Sequence, residues 1–203
     1  MDPTGHAAAQ LTTIRTLLER ATIYRAISVP GAAVGGVLAL AAAWLSRGME
    51  PRAWLGTWLA VLAMASAFNF FQLAREARRD QRVFFTNGLR LALRGFLPPL
   101  LAGGVLGLGI GDQGDVAVTA MLWILFYGLG LLAVREFAPL SLARLGIVFF
   151  AVGLACFVVL IFDLAPSFAV IPPAPMLGST LMGVTFGLFH LGYAAAVVFT
   201  RRP

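Results

Sequence analysis

The chain has 203 residues, of which 60% are hydrophobic and only 12% are charged. Soluble proteins contain roughly 45–50% apolar residues, so one soluble core could not bury this much apolar surface, and the composition indicates an integral membrane protein. The net charge of +6 comes from arginine alone, because the chain has no lysine. These arginines lie in short segments between apolar runs, which predicts contact with membrane lipids and argues against nucleic acid as a partner.

Residues 1–25 are predicted to form a cytoplasmic amphipathic helix. Four apolar residues of this segment recur at helical spacing: Leu11, Ile14, Leu18 and Ala21. The charged side chains fall largely off that face, as in a helix with one apolar stripe. Such a helix lies among lipid headgroups or packs on a partner subunit, and the sequence leaves both alternatives open.

Residues 26–203 are predicted to form a single transmembrane domain. Six runs are apolar and lack charged residues in their middle, at approximately 26–46, 53–73, 91–110, 116–134, 145–162 and 177–199. About 20 apolar residues cross the hydrocarbon layer as a helix, and the runs lack the alternation of β-barrel strands. The predicted fold class is therefore all-α: a polytopic membrane protein with six transmembrane helices in three hairpins, plus the N-terminal amphipathic helix.

The placement of the arginines predicts the orientation of the chain. Of the 15 arginines, only Arg47 and Arg52 lie in one set of alternate connections, and the other thirteen lie on the opposite side. Because arginine-rich segments stay in the cytoplasm, we expect both termini to be cytoplasmic. The connection REARRDQRVFFTNGLR is the longest on that side. Its arginines are expected to bind anionic lipid or a cytoplasmic protein partner, or else only to determine topology: Arg75, Arg78, Arg79 and Arg82.

The sharpest candidate for a binding site is His190, which lies within the last apolar run. An ionisable residue inside the membrane usually faces the bundle interior or a watery cavity and has a partner. Depth along the runs places three further polar residues near it, and the four are predicted to line one ligand-binding pocket that opens toward the cytoplasm: His190, Asn69, Tyr127 and Tyr193. The structural alternative is a neutral imidazole that holds helices together by hydrogen bonding to Asn69, a tyrosine hydroxyl or a backbone carbonyl.

Pairs of glycines four residues apart occur in three of the apolar runs: Gly31 and Gly35, Gly103 and Gly107, and Gly183 and Gly187. Such pairs let helices approach closely, either within one chain or between subunits. Because every helix of a six-helix bundle already has neighbours, we expect packing within the chain, with a homo-oligomer as the alternative.

The sequence contains no motif that names a reaction. HExxH, GxSxG and Walker-type glycine loops are absent, and no carboxylate lies inside a predicted span, which disfavours ion-coupled transporters and pumps. Zinc sites need three or four ligands, so no metal or cofactor is expected. The favoured hypothesis is a non-enzymatic membrane protein, sensory or regulatory, that binds a small apolar or amphipathic ligand or a protein partner. The alternative is a small-solute transporter or channel.

Two segments carry a resemblance to a known family. The opening LTTIRTLLERATIYR and the closing FGLFHLGY resemble small bacterial six-span membrane proteins, a family without an assigned activity. The matching residues are Ile14, Arg15, Leu18, Glu19, Arg20 and Arg25 in the first segment, and Phe186, Gly187, His190 and Tyr193 in the second. The chain departs from the family pattern in two places. It has Ala21 where the family usually has serine, and its fifth loop is longer and rich in proline. The resemblance implies the bacterial cytoplasmic (inner) membrane.

Overall fold

The computed structural model describes residues 29–81, 87–136, 138–164 and 172–200, and this part of the chain is helical without any strand. The helices are α1 (Val29–Leu45), α2 (Pro51–Arg79), α3 (Asn87–Asp112), α4 (Val116–Ala133), α5 (Leu140–Ile161) and α6. Helix α6 runs through three consecutive segments, Ala174–Met182, a π-helical Gly183–Phe189, and His190–Thr200. The predicted all-α class is confirmed. The amphipathic helix predicted for 1–25 lies outside the described residues.

Helices α2 to α6 are each long and apolar enough to cross a membrane. Seventeen apolar residues of α1 lie in the described part of the chain, which begins at Val29; they span about 26 Å at a rise of 1.5 Å per residue, slightly less than the ~30 Å hydrocarbon layer. The protein is therefore a polytopic α-helical membrane protein with five long apolar helices and a shorter one.

The arginine-rich connection between the second and third runs is shorter than predicted. Helix α2 continues to Arg79 and α3 begins at Asn87, so Arg75 and Arg78 lie on a helix and not in a loop. Arginine has a good helix propensity, and positive charge near the C-terminus of a helix is favoured by the helix dipole. The predicted span 53–73 lies within α2, and the helix extends beyond it because the apolar residues stop before the helix does. Arg82 lies outside the described residues.

Helices α4 and α5 approach closely because each has a glycine that faces the backbone of the other helix. A Cβ atom at Gly128 would collide with the backbone of Phe150, and one at Gly153 would collide with the backbone of Leu125. The packing is tight enough that most of α4 is buried, whereas α2 and α3 are buried over only a small part of their length. Helix α4 is thus the centre of the bundle.

The predicted packing within the chain is confirmed for two of the three glycine pairs. The α3 pair faces two aromatic side chains of α4, and the α6 pair faces two small or aliphatic side chains of α1. The contacts are Gly103 with Phe126, Gly107 with Trp123, Gly183 with Ala43 and Gly187 with Leu40. Helix α3 is therefore held against α4, and α6 against α1.

Two side-chain contacts define one end of the bundle. Arg52 Nε lies 2.9 Å from Asp112 Oδ1, which joins the start of α2 to the end of α3. Ser46 Oγ lies 2.7 Å from Ser179 Oγ, which joins the end of α1 to the start of α6. We call this the arginine-poor end. The opposite, arginine-rich end holds the connections from α2 to α3 and from α4 to α5, so the helices alternate in direction.

Candidate functional site

A cavity of about 380 Å³ lies between α1, α2, α3, α4 and α6. Its volume falls within the range of roughly 300–1,000 Å³ that is typical of small-molecule pockets. Most of its wall is apolar, and none of the described residues that line it is Asp, Glu, Lys or Arg. The polar residues in the wall are few: Ser66, Asn69, Tyr127 and His190, together with the indole rings of Trp58 and Trp123.

The cavity exists because α2 packs on the bundle at only one of its ends. The buried residues of α2 are Trp54, Leu55 and Trp58, all near its start at the arginine-poor end. Further along, the inner face of α2 lines the cavity and has no buried residue, although Ala65 lies close to Gly35 of α1. On the opposite wall, α3 contains Pro98 and Pro99, which lack the N–H groups for two helical hydrogen bonds. The cavity therefore extends from the middle of the bundle toward the arginine-rich end.

His190 reaches the cavity at the end of the π-helical segment of α6. Seven residues, Gly183–Phe189, form this segment, and wider π turns inside α-helices occur frequently at functional sites. The imidazole of His190 faces the backbone carbonyl groups of Thr185 and Phe186. The segment thus changes the register of α6 immediately before its only histidine, and this sets where the imidazole lies.

One hydrogen bond joins the two central helices at this level. Tyr127 Oη of α4 lies 2.9 Å from His190 Nε2 of α6. Because His190 Nδ1 faces carbonyl oxygens, the tautomer that fits is protonated at Nδ1, and the Tyr127 hydroxyl donates to Nε2. Aromatic rings surround the pair: Phe186 lies nearly parallel to the imidazole at 5.9 Å, and Phe149 lies edge-on at 5.4 Å.

Four buried side-chain atoms in the described part of the chain have no hydrogen-bond partner: Trp58 Nε1, Asn69 Oδ1, Trp123 Nε1 and His190 Nδ1. All four residues line the cavity. Trp123 packs its indole nitrogen against Gly107 of α3, so its N–H faces a helix. His190 Nδ1 faces carbonyl groups but does not meet the geometry of a hydrogen bond. Unpartnered buried polar atoms are rare in native proteins, so their concentration at one cavity needs an explanation.

A second polar cluster closes the bundle at the arginine-poor end. Trp54 Nε1 donates to Ser179 Oγ at 2.9 Å, and Ser46 Oγ lies 2.7 Å from the same oxygen. These three side chains are completely buried. Trp54 also contacts the rings of Trp58 and Trp123, with ring centroids 5.8 Å apart in both pairs. This layer of three tryptophans separates the cavity from the arginine-poor end.

Three of the four residues predicted to bind a ligand come together at the cavity: Asn69, Tyr127 and His190. The fourth, Tyr193, is buried but is not among the residues that line it. Among the predicted lipid-binding arginines, Arg75, Arg78 and Arg79 are exposed at the arginine-rich end, and Arg82 lies outside the described residues. Binding by any of these residues stays a prediction.

Sequence reasoning missed Trp58 as a candidate. A tryptophan in an apolar run predicts a buried residue of the core, and Trp58 is indeed only 3% exposed. The available signal was chemical, because a buried indole N–H usually finds a partner, and the neighbouring hydroxyl of Thr57 bonds to Ala53 and Met49 instead. Only the packing of the helices shows that this N–H has no partner beside a cavity.

Among the described residues, no group of three or more His, Cys, Asp or Glu side chains is placed to hold a metal ion. The arrangement at the cavity can donate and accept hydrogen bonds and can enclose an apolar body. Comparison of the chain with protein-family models, with curated proteins and with solved structures found no match. The chemistry of the cavity is therefore the basis for assigning a function.

Proposed function

We propose that this chain is a non-enzymatic protein of the bacterial inner membrane that binds a small apolar or amphipathic ligand in the cavity. The observation that carries the proposal is an otherwise apolar cavity whose wall includes Trp58, Asn69 and His190, three residues that each have a buried polar atom without a hydrogen-bond partner. A ligand with an apolar body and a small polar group would pack on the walls and bond to a polar side chain among them, such as the amide of Asn69. The arginine-rich end is assigned to the cytoplasm on the positive-inside rule.

The energetic argument concerns the cost of the unpartnered atoms. Each buried polar atom without a partner costs about 1–3 kcal/mol, and apolar residues of similar size would avoid that cost. A ligand that supplies the missing partners removes it, so these residues favour the bound state over the free one. A sensory or regulatory role follows if the ligand binds one of two conformations more tightly, because it then shifts the population toward that conformation.

The proposal is tested by asking which small molecules stay bound during purification. The protein is purified in a mild detergent, examined by native mass spectrometry, and extracted with organic solvent for analysis of the released molecules. We expect the wild type to retain about one molecule per chain, and His190→Ala to lose it while the yield of folded protein stays nearly normal. Tyr193→Phe is the matched control on the same helix, and we expect it to retain the molecule.

Two results would contradict the proposal. Equal loss of ligand and of folded protein in His190→Ala would mean that His190 only holds α4 and α6 together. Passage of small solutes into liposomes that contain the protein would favour the transporter alternative. That alternative requires a path through the layer formed by Trp54, Trp58 and Trp123.

A further inference from the structure

The wall of the cavity formed by α2 is open toward the outside of the bundle. Leu59, Leu62 and Phe70 line the cavity and are also 40%, 50% and 49% exposed. On α3, Gly104 also lines the cavity, and no atom lies within 4 Å of the position its Cβ would occupy. The cavity is thus open laterally, between α2 and α3, and the residues that border this opening are apolar.

The depth of this opening places it against lipid. Helix α2 begins at Pro51, so Leu62 lies about 17 Å along the helix at 1.5 Å per residue. Gly104 lies about 12 Å from the other end of α3, at Asp112, by the same rise. In a hydrocarbon layer of ~30 Å, Leu62 and Gly104 are near the middle, whereas Phe70, about 28 Å along α2, is near the arginine-rich boundary, so the opening runs from the acyl chains to that boundary.

The cavity wall selects against charge. None of the described lining residues is Asp, Glu, Lys or Arg; Arg90 and Arg94 lie between lining residues along α3, but both are exposed and neither is part of the wall. Burying an ionised group without a charged partner is very unfavourable. The side-chain amide of Asn69, whose Oδ1 has no partner, both donates and accepts hydrogen bonds, as an uncharged hydroxyl-bearing group does.

We infer that the ligand is a neutral lipid, with one apolar chain and an uncharged hydroxyl-bearing head, which enters from the bilayer between α2 and α3. Its head lies beside Asn69, and its chain lies along the apolar wall toward Trp58, about 16 Å away along α2 at 1.5 Å per residue. A cavity of about 380 Å³ is near the lower limit for small-molecule pockets, which favours one chain over two. This inference rests on the proposed function and adds to it the class of ligand and the route of access.

The experiment uses a monoacylglycerol whose chain carries a photoreactive diazirine and an alkyne for enrichment. The full-length protein is reconstituted in phosphatidylcholine vesicles with this probe, irradiated, and digested for peptide mass spectrometry. We expect labelling of the cavity residues Tyr127 and His190. A fatty acid of the same chain, which carries a carboxylate, is expected to label them at least fivefold less.

Two glycine variants of α3 test the route. Gly104→Phe places a ring at the opening, and we expect it to lower the labelling of Tyr127 and His190 at least fivefold. Gly109→Phe is the matched control, because Gly109 is also free of neighbours within 4 Å of its Cβ position but does not line the cavity. Its labelling should stay within twofold of the wild type, and both variants should remain monodisperse in detergent.

Three results of these labelling experiments would overturn the inference. Unchanged labelling of the cavity in Gly104→Phe would exclude the route between α2 and α3, and equal labelling by the fatty acid would exclude selection for a neutral head. Labelling confined to the outer surface of α2 and α3 would show that lipid does not enter. If a molecule is nevertheless retained by the wild type and lost from His190→Ala, ligand binding stands and only its class and route are wrong.

Discussion

Two buried polar clusters lie at different levels of this bundle and differ in how far their hydrogen bonds are satisfied. At the arginine-poor end, Ser46, Trp54 and Ser179 are completely buried and bond to one another. Beside the cavity, His190 has one partner in Tyr127, but its other ring nitrogen has none. Both clusters join helices that are distant in sequence, and only the second contains a polar atom without a hydrogen-bond partner.

The difference separates a structural cluster from a candidate binding site. A buried polar network that is fully satisfied fixes the packing of the helices around it, whereas a partly satisfied one carries a free-energy cost. The first cluster therefore stabilises the closed end of the bundle in the absence of any other molecule. The second would gain from a molecule that completes it, and variants of the two clusters should behave differently.

The largest effect on stability is expected for Ser179→Ala in the satisfied cluster. The change leaves Trp54 Nε1 and Ser46 Oγ without the oxygen they share. Since an unpartnered buried group costs about 1–3 kcal/mol, we expect the free energy of unfolding in mixed detergent micelles to fall by about 2 kcal/mol. The control is Thr180→Val, whose exposed hydroxyl bonds only to Met176 of its own helix, and a loss of the same size there would contradict the assignment.

A smaller loss is expected for Tyr127→Phe, which removes the one hydrogen bond that His190 makes to another helix. Side-chain hydrogen bonds between membrane helices contribute on average ~0.6 kcal/mol and at most ~1.7 kcal/mol, so we expect the free energy of unfolding to fall by about 1 kcal/mol. Thr185→Val is the matched control, because the Thr185 hydroxyl bonds to Leu181 within α6. Equal effects of the two substitutions would mean that the Tyr127 bond does not join α4 to α6.

The smallest effect on stability, and one of opposite sign, is expected for Asn69→Leu. This substitution removes a buried oxygen that has no partner, so the free energy of unfolding should stay unchanged or rise by up to about 1 kcal/mol. Retention of the co-purified molecule, measured by native mass spectrometry, should fall severalfold. Gln72→Leu, one turn further along α2 and outside the cavity wall, should retain it. A clear loss of stability in Asn69→Leu would place Asn69 with the structural cluster.

The sequence by itself determined the class of the protein and most of its helices. Uncharged apolar runs of sufficient length can satisfy their backbone hydrogen bonds in lipid only as helices, so their positions follow from hydropathy. His190 was also identifiable, because an ionisable group inside such a run is rare enough to be conspicuous. The end of α2 at Arg79 could not be identified in this way. Hydropathy shows where the apolar residues stop, whereas the helix continues through polar residues of good helix propensity.

Only the tertiary structure decided which polar groups are satisfied. Ser46 and Ser179 are 133 positions apart in the chain, and nothing in the local sequence of either distinguishes it from Ser66, which lines the cavity. The unpartnered N–H of Trp58 and the opening beside Gly104 likewise depend on how far α2 stands from α3 and α4. Periodicity and length fix each helix separately, whereas distances between helices arise from the packing of side chains that are remote in sequence.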